Sequence, residues 1–193
     1  MRAQQLFENI NGYDFSRACY LASAQGIAGG WEVWLQVELA LFLKDKMGED
    51  NINFERERIY REFGIDSNQR CDFLISYGGA GTGGYDNTFI ELKCQNPYGK
   101  PNPLTDALKR FQSDIEKVRA IPEHPIIACM LVCYGTIDKV AEGMVNLDME
   151  QIWKEQHIYL CDDSEIVKRK GTGEDESEDD GEEHLYILYV EIE

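Results

Sequence analysis

The stretch RCDFLISYGGAGTGGYDNTFIELKCQ, residues 70–95, holds two alternating apolar segments on either side of a run of glycines. Alternation with a period of two places successive side chains on opposite faces of a strand. The pattern predicts one strand over Arg70–Tyr77, another over Thr88–Gln95, and a mobile glycine-rich hairpin tip between them. On the first strand Arg70, Asp72, Leu74 and Ser76 share a face, opposite Cys71, Phe73 and Ile75. On the second, Phe89, Glu91, Lys93 and Gln95 share a face, opposite Ile90, Leu92 and Cys94. The glycine run is not a phosphate-binding loop, because no Gly-Lys-Ser/Thr follows it and a strand, not a helix, comes next.

Before this pair, DFSRACYLASAQ (14–25) reads as a helix with Asp14 or Ser16 as its N-cap. Gly26 to Gly30 breaks it, Trp31–Lys46 reads as a long apolar helix, and Ile59–Ile65 as a first strand. After the pair, Asn96–Pro103 carries three of the five prolines and is a loop. Thr105–Ala120 is amphipathic, with Leu108, Phe111, Ile115 and Val118 inward. Ile126–Tyr134 is uncharged and suits a buried strand. Val145–Trp153 reads as a short helix, and Ile158–Cys161 with Leu185–Ile192 as a closing strand pair. Three strands in a meander, then a helix crossing to a central strand, predict an α/β fold: a mixed β-sheet flanked by helices, in one domain over residues 1–193.

Hydrophobic residues make up 43% and aromatics 11%, which suffices for a core. No apolar run is long enough to span a bilayer. The opening MRAQQLFENINGYD lacks a charged region followed by an apolar one, so a cytoplasmic location is expected. The six cysteines form no CxxC pair, and most lie in apolar runs, so they are expected to be reduced core residues. The net charge of −17 is unfavourable for contact with phosphates. Residues 171–183, GTGEDESEDDGEE, hold eight acids and no base and are expected to form a mobile loop. Setting those eight aside leaves 28 acids against 19 bases, still an acidic body.

Chemistry enters with Glu91 and Lys93, a carboxylate and an ammonium side by side on one strand face. Alone, this pair reads as a surface ion pair. Asp72 on the neighbouring strand can come level with Glu91, and two such carboxylates make a hard-oxygen site for Mg2+ or Mn2+. Lys93 beside them can position a water or neutralise charge on a phosphate. The alternative for Asp72 is a turn cap or a pair with Arg70. Glu38 has Trp31, Trp34, Leu41 and Phe42 as helical neighbours, so it falls in an apolar stripe. A buried carboxylate there needs a metal, a base or a proton, and a structural salt bridge would also satisfy it.

An apolar helix with an embedded glutamate, a strand with R-x-D, a strand reading apolar-E-x-K, then a helix and a buried strand resemble the PD-(D/E)XK nuclease superfamily, the restriction-endonuclease-like fold. The resemblance covers roughly residues 30–135, with Glu38, Asp72, Glu91 and Lys93 as the motif residues. Cys71 stands where many members have proline. The resemblance implies metal-dependent phosphodiester hydrolysis, with DNA as the expected substrate and a place in bacterial or phage defence. Asp72, Glu91 and the Leu92 carbonyl would hold the metal, Lys93 would assist the attacking water, and Glu38 would complete the metal shell. Gln95 would contact the scissile region, and Lys109, Arg110 and Lys117 would meet the phosphate backbone. The acidic balance supports a rival: an immunity or inhibitor protein of the same fold that binds a basic protein partner. A third reading is a subunit of a larger complex with a vestigial site.

Overall fold

The computed structural model describes residues 10, 13, 31–48, 52–65, 67–78, 86–96, 102–121, 127–147, 149, 157–162, 165–170 and 184–192. Among these residues three helices, α1 (Trp31–Met47), α2 (Pro103–Arg119) and α3 (Ile137–Asn146), accompany seven strands. These are β1 (Ile52–Arg56), β2 (Phe73–Tyr77), β3 (Asp86–Cys94), β4 (Ile127–Gly135), β5 (His157–Asp162), β6 (Glu165–Lys170) and β7 (His184–Ile192). They form one sheet in the order β1-β2-β3-β4-β7-β5-β6. β3 and β4 run parallel, and every other neighbouring pair is antiparallel. The chain is thus an α/β protein with a mixed sheet and helices on both faces.

Period-two alternation sorts the sheet into two cores. Phe73, Ile75, Ile90, Leu92, Cys94, Met130 and Val132 pack under Trp31, Leu35, Leu39 and Leu43 of α1. Leu74, Phe89, Ile127, Cys129, Leu131 and Cys133 pack under Leu108, Phe111, Ile115 and Val118 of α2, with Val140 and Met144 of α3 beside them. Glu91 and Lys93 take the parity of Phe89, so they lie beneath α2. The uncharged β4 sits between β3 and β7 with nearly every residue buried, as its composition predicts.

Several elements differ from the sequence reading. The first strand is Ile52–Arg56, not Ile59–Ile65. Ile59 makes only an isolated bridge to Arg70, and Tyr60–Phe63 turns as a 3-10 helix closed by Gly64 at φ +82, a conformation that suits glycine. The turn packs Tyr60 and Phe63 against Phe89, a burial that a strand there would split between two faces. A helix not expected from the sequence covers Ile137–Asn146, where Thr136 caps the Lys139 N–H, and most of the helix expected at Val145–Trp153 (148 and 150–153) lies outside the described residues. β7 does pair with β5, but β6 extends that edge and β7 also pairs with β4. The helix expected at 14–25 and the acidic run 171–183 lie outside the described residues. Among the described residues, no helix is long and apolar enough to cross a membrane. Cys71, Cys94, Cys129 and Cys133 are buried free thiols, and burial raises the pKa of each.

Candidate functional site

The site grows from a mismatch in strand length. Phe73 pairs with Ile90, so β2 ends level with Ile90 while β3 runs on to Cys94. Beyond that point the β3 edge that faced β2 is served by side chains. Asp72 Oδ2 accepts the Leu92 N–H at 2.7 Å, and Glu32 Oε2 of α1 accepts the Cys94 N–H at 3.0 Å. Lys93 Nζ donates to the Leu92 carbonyl at 3.1 Å, and Arg110 donates to the Cys94 carbonyl at 2.9 Å. Asp72 therefore lies in a bend before β2, held across to β3 by a charge-assisted bond.

The same bond brings Asp72 to the Glu91–Lys93 face. Lys93 Nζ lies 3.1 Å from Asp72 Oδ2 and 3.0 Å from Asp114 Oδ2, a carboxylate on α2. The Asp114 oxygen is buried, and its contact with Lys93 is ionic rather than a well-aligned hydrogen bond. Burial alone would push the Lys93 pKa down, but Asp72, Asp114 and Glu32 outweigh it and hold it above its ordinary value. Lys93 is accordingly an ammonium in this arrangement.

Glu91 is 2% exposed. Tyr60 donates its hydroxyl to Glu91 Oε1 at 2.8 Å, and Lys117 Nζ donates to the same oxygen at 2.6 Å. Burial still dominates over the ammonium, and the carboxyl pKa is pushed up to about 7. Glu32 also has its pKa raised by burial, with Lys93 opposing.

One oxygen each from Asp72, Glu91 and Asp114 lies within 4.8 Å of the others. Hard cations with oxygen ligands at about 2.0–2.6 Å bridge separations of that order. The donor set is all carboxylate, with the Leu92 carbonyl adjacent, which suits Mg2+ or Mn2+ over a softer metal. The residues present therefore fit a divalent cation.

No family model, curated protein or solved structure matches the chain. The site's own residues must carry its chemistry.

Of the residues singled out by sequence, the structure brings Asp72, Glu91, Lys93 and the Leu92 carbonyl together. Glu38 does not join the cluster. The buried stripe of α1 is Trp31, Leu35, Leu39 and Leu43, which leaves Glu38 half-buried at its flank and Leu41 59% exposed. The third carboxylate is Asp114 instead. Lys117 and Arg110, expected to face a phosphate backbone, turn inward to Glu91 and to the Cys94 carbonyl. Lys109 is exposed on α2. Gln95 is buried, and its Oε1 accepts the Tyr134 N–H. Sequence reasoning missed Asp114, Glu32 and Tyr60 as site residues. Asp114 had one signal, its place a turn before Lys117 beside the inward Phe111–Ile115–Val118 row.

Proposed function

We propose that this chain is a metal-dependent nuclease that hydrolyses phosphodiester bonds in nucleic acid, with DNA as substrate, on a fold of the PD-(D/E)XK kind. The observation that carries the reading is the convergence of Asp72, Glu91 and Asp114 beside Lys93 on one covered strand face. Asp72, Glu91 and Asp114, with the Leu92 carbonyl, would hold Mg2+ or Mn2+. The cation would supply a Lewis acid for the phosphoryl oxygens and lower the pKa of a bound water. Lys93 keeps its charge, so it offers electrostatic stabilisation of the pentavalent phosphate and orientation of the water, not a base. Tyr60 and Lys117 hold Glu91 in place, and Glu32 and Arg110 hold the end of β3.

The test is cleavage of plasmid and single-stranded DNA by the purified chain, in Mg2+ or Mn2+ against EDTA. Cleavage should need the cation, and Lys93→Ala should lower it by about two to three orders of magnitude. Absence of cleavage by the wild type in either metal sinks the reading. The net charge of −17 favours a second reading, an acidic inhibitor that docks on a basic protein. In that case the chain cleaves nothing and binds a basic nuclease with an affinity that falls as salt rises.

A further inference from the structure

Where α2 lies over β3, the two elements meet in charged rungs. Lys117 reaches Glu91, and Asp114, a turn earlier on the helix, reaches Lys93. By the same spacing the next rung sets Arg110 over Gln95. Gln95 is neutral, and its Oε1 already accepts the Tyr134 N–H. Arg110 is therefore the one cation of this series with no carboxylate across from it.

Its bonding bears this out. Nη2 donates to the Cys94 carbonyl at 2.9 Å, while Nε is closed off from solvent and has no hydrogen-bond partner. Among the described residues Arg110 forms no ion pair: Asp114 is taken by Lys93, and Glu32 Oε2 by the Cys94 N–H. A covered guanidinium is normally matched by a carboxylate, and a buried N–H by an acceptor; here both are wanting. Guanidinium presents its N–H groups as a planar fork that suits paired oxygens. The Cys94 carbonyl fills one prong, and the Nε prong is empty. Position says what would fill it. Arg110 lies four residues from Asp114, about 6 Å along the helix axis. A phosphate spans a gap of that order, with one oxygen on a cation held by Asp114 and another on the guanidinium.

We propose that Arg110 is the phosphate clamp of this site: it takes a non-bridging oxygen of the substrate strand's phosphodiester on Nε and holds it beside Lys93. The identity of the ligand rests on the nuclease reading; the need for an anionic oxygen does not. Because Nε is closed off in the free chain, the oxygen enters as the side chain turns outward about its Cys94 bond. That bond holds the guanidinium in place beforehand, so little side-chain freedom is lost when the strand arrives.

The experiment measures binding of a fluorescein-labelled oligothymidine to the full chain in EDTA, by anisotropy, from about 50 to 200 mM salt. On a single strand each neutralised phosphate adds about 0.7 to the slope of log affinity against log salt. Arg110→Gln should reduce that slope by about 0.7. Arg119→Gln, an equal loss of charge at the exposed end of α2, should leave it at the wild-type value. Arg110→Lys keeps the charge and a donor for Cys94 but loses the fork, so it should keep the slope and lower Mg2+-dependent cleavage by about tenfold. Mg2+ affinity should not fall in either Arg110 variant, since Arg110 is not a ligand. A wild type that binds no oligonucleotide overturns the inference. So does a wild-type slope in Arg110→Gln, or an equal drop in Arg119→Gln. Mg2+ affinity that falls together with cleavage would show that Arg110 only holds the end of β3, and also overturns it. If DNA is cleaved and the Arg110→Gln slope is unchanged, this inference falls and the nuclease reading stands. If the slope drops in Arg110→Gln alone and the wild type cleaves nothing, the phosphate clamp stands and the nuclease reading falls.

Discussion

Replacing Glu91 by glutamine should make the metal-free chain more stable at pH 8 and leave it unchanged near pH 4.5. The folded carboxyl titrates near 7, against an ordinary value of 4.5. The native state therefore keeps this proton to a higher pH than the unfolded chain does. Stability is untouched below pH 4.5, falls as pH rises from 4.5 to about 7, and stays lowered above that. At about 1.4 kcal/mol per pH unit, the full loss is about 3 kcal/mol. Glutamine resembles the protonated form and carries no such penalty, while Lys117 retains the Arg70 carbonyl at 3.2 Å. Urea denaturation in EDTA, followed by tryptophan fluorescence, gives the difference between the two chains at each pH. A Glu91→Gln chain less stable than wild type at pH 8 would show that Lys117 and Tyr60 outweigh burial, and would refute the argument. Adding Mg2+ at pH 8 should then stabilise the wild type, by roughly 2.7 kcal/mol at a hundred times its Kd, and leave the variant where it was.

Asp114→Asn should lower Mg2+-dependent cleavage at least about tenfold and weaken Mg2+ binding, while Glu38→Gln should stay within about twofold of wild type in the same assays. Tyr60→Phe removes a buried donor to the Glu91 carboxylate and should cost about 1 kcal/mol at pH 8 and less at pH 5, measured by denaturation at the two values. Gly143→Ala would drive a Cβ into Leu108 Cδ1 in the buried α2–α3 contact, so the melting temperature should drop by an amount equivalent to about 1–3 kcal/mol.

The hairpin and its site were legible because period two is a strong signal on a half-covered strand. Glu91 and Lys93 could be placed on one face from spacing alone, and the neighbouring strand could supply only Asp72. Glu38 was misplaced for an opposite reason. α1 is apolar around its whole circumference, with Val33, Val37 and Leu41 exposed, so no stripe in the sequence says which side meets the sheet. Glu32 was invisible because it binds a backbone amide left open by the short β2, and a strand's end is not written in its pattern. Asp114 lies at the margin of the α2 apolar face, and only the height of α2 over β3 turns it inward. Ile59–Ile65 misled because its aromatics are buried by a turn, and the weaker Ile52–Phe54 alternation held the strand.

Apart from Glu32 of α1, the charged cluster comes from a short span of chain: Asp72 and the Glu91–Lys93 strand from one hairpin, Asp114 and Lys117 from the next helix. Among the described residues, none from β4 onward contributes a charge to it. Three acids brought this close would repel one another while the protein folds, before any ion has arrived. Lys93 and Lys117 act there as counter-ions carried by the chain. Their presence lets the hairpin and α2 close together in metal-free solvent, and makes loading an exchange of cations. A divalent ion must displace an ammonium that is already seated, so affinity is exchanged for a pocket that is shaped in advance. Apparent metal affinity should therefore be set by how readily Lys93 can swing aside as much as by the oxygens it leaves behind.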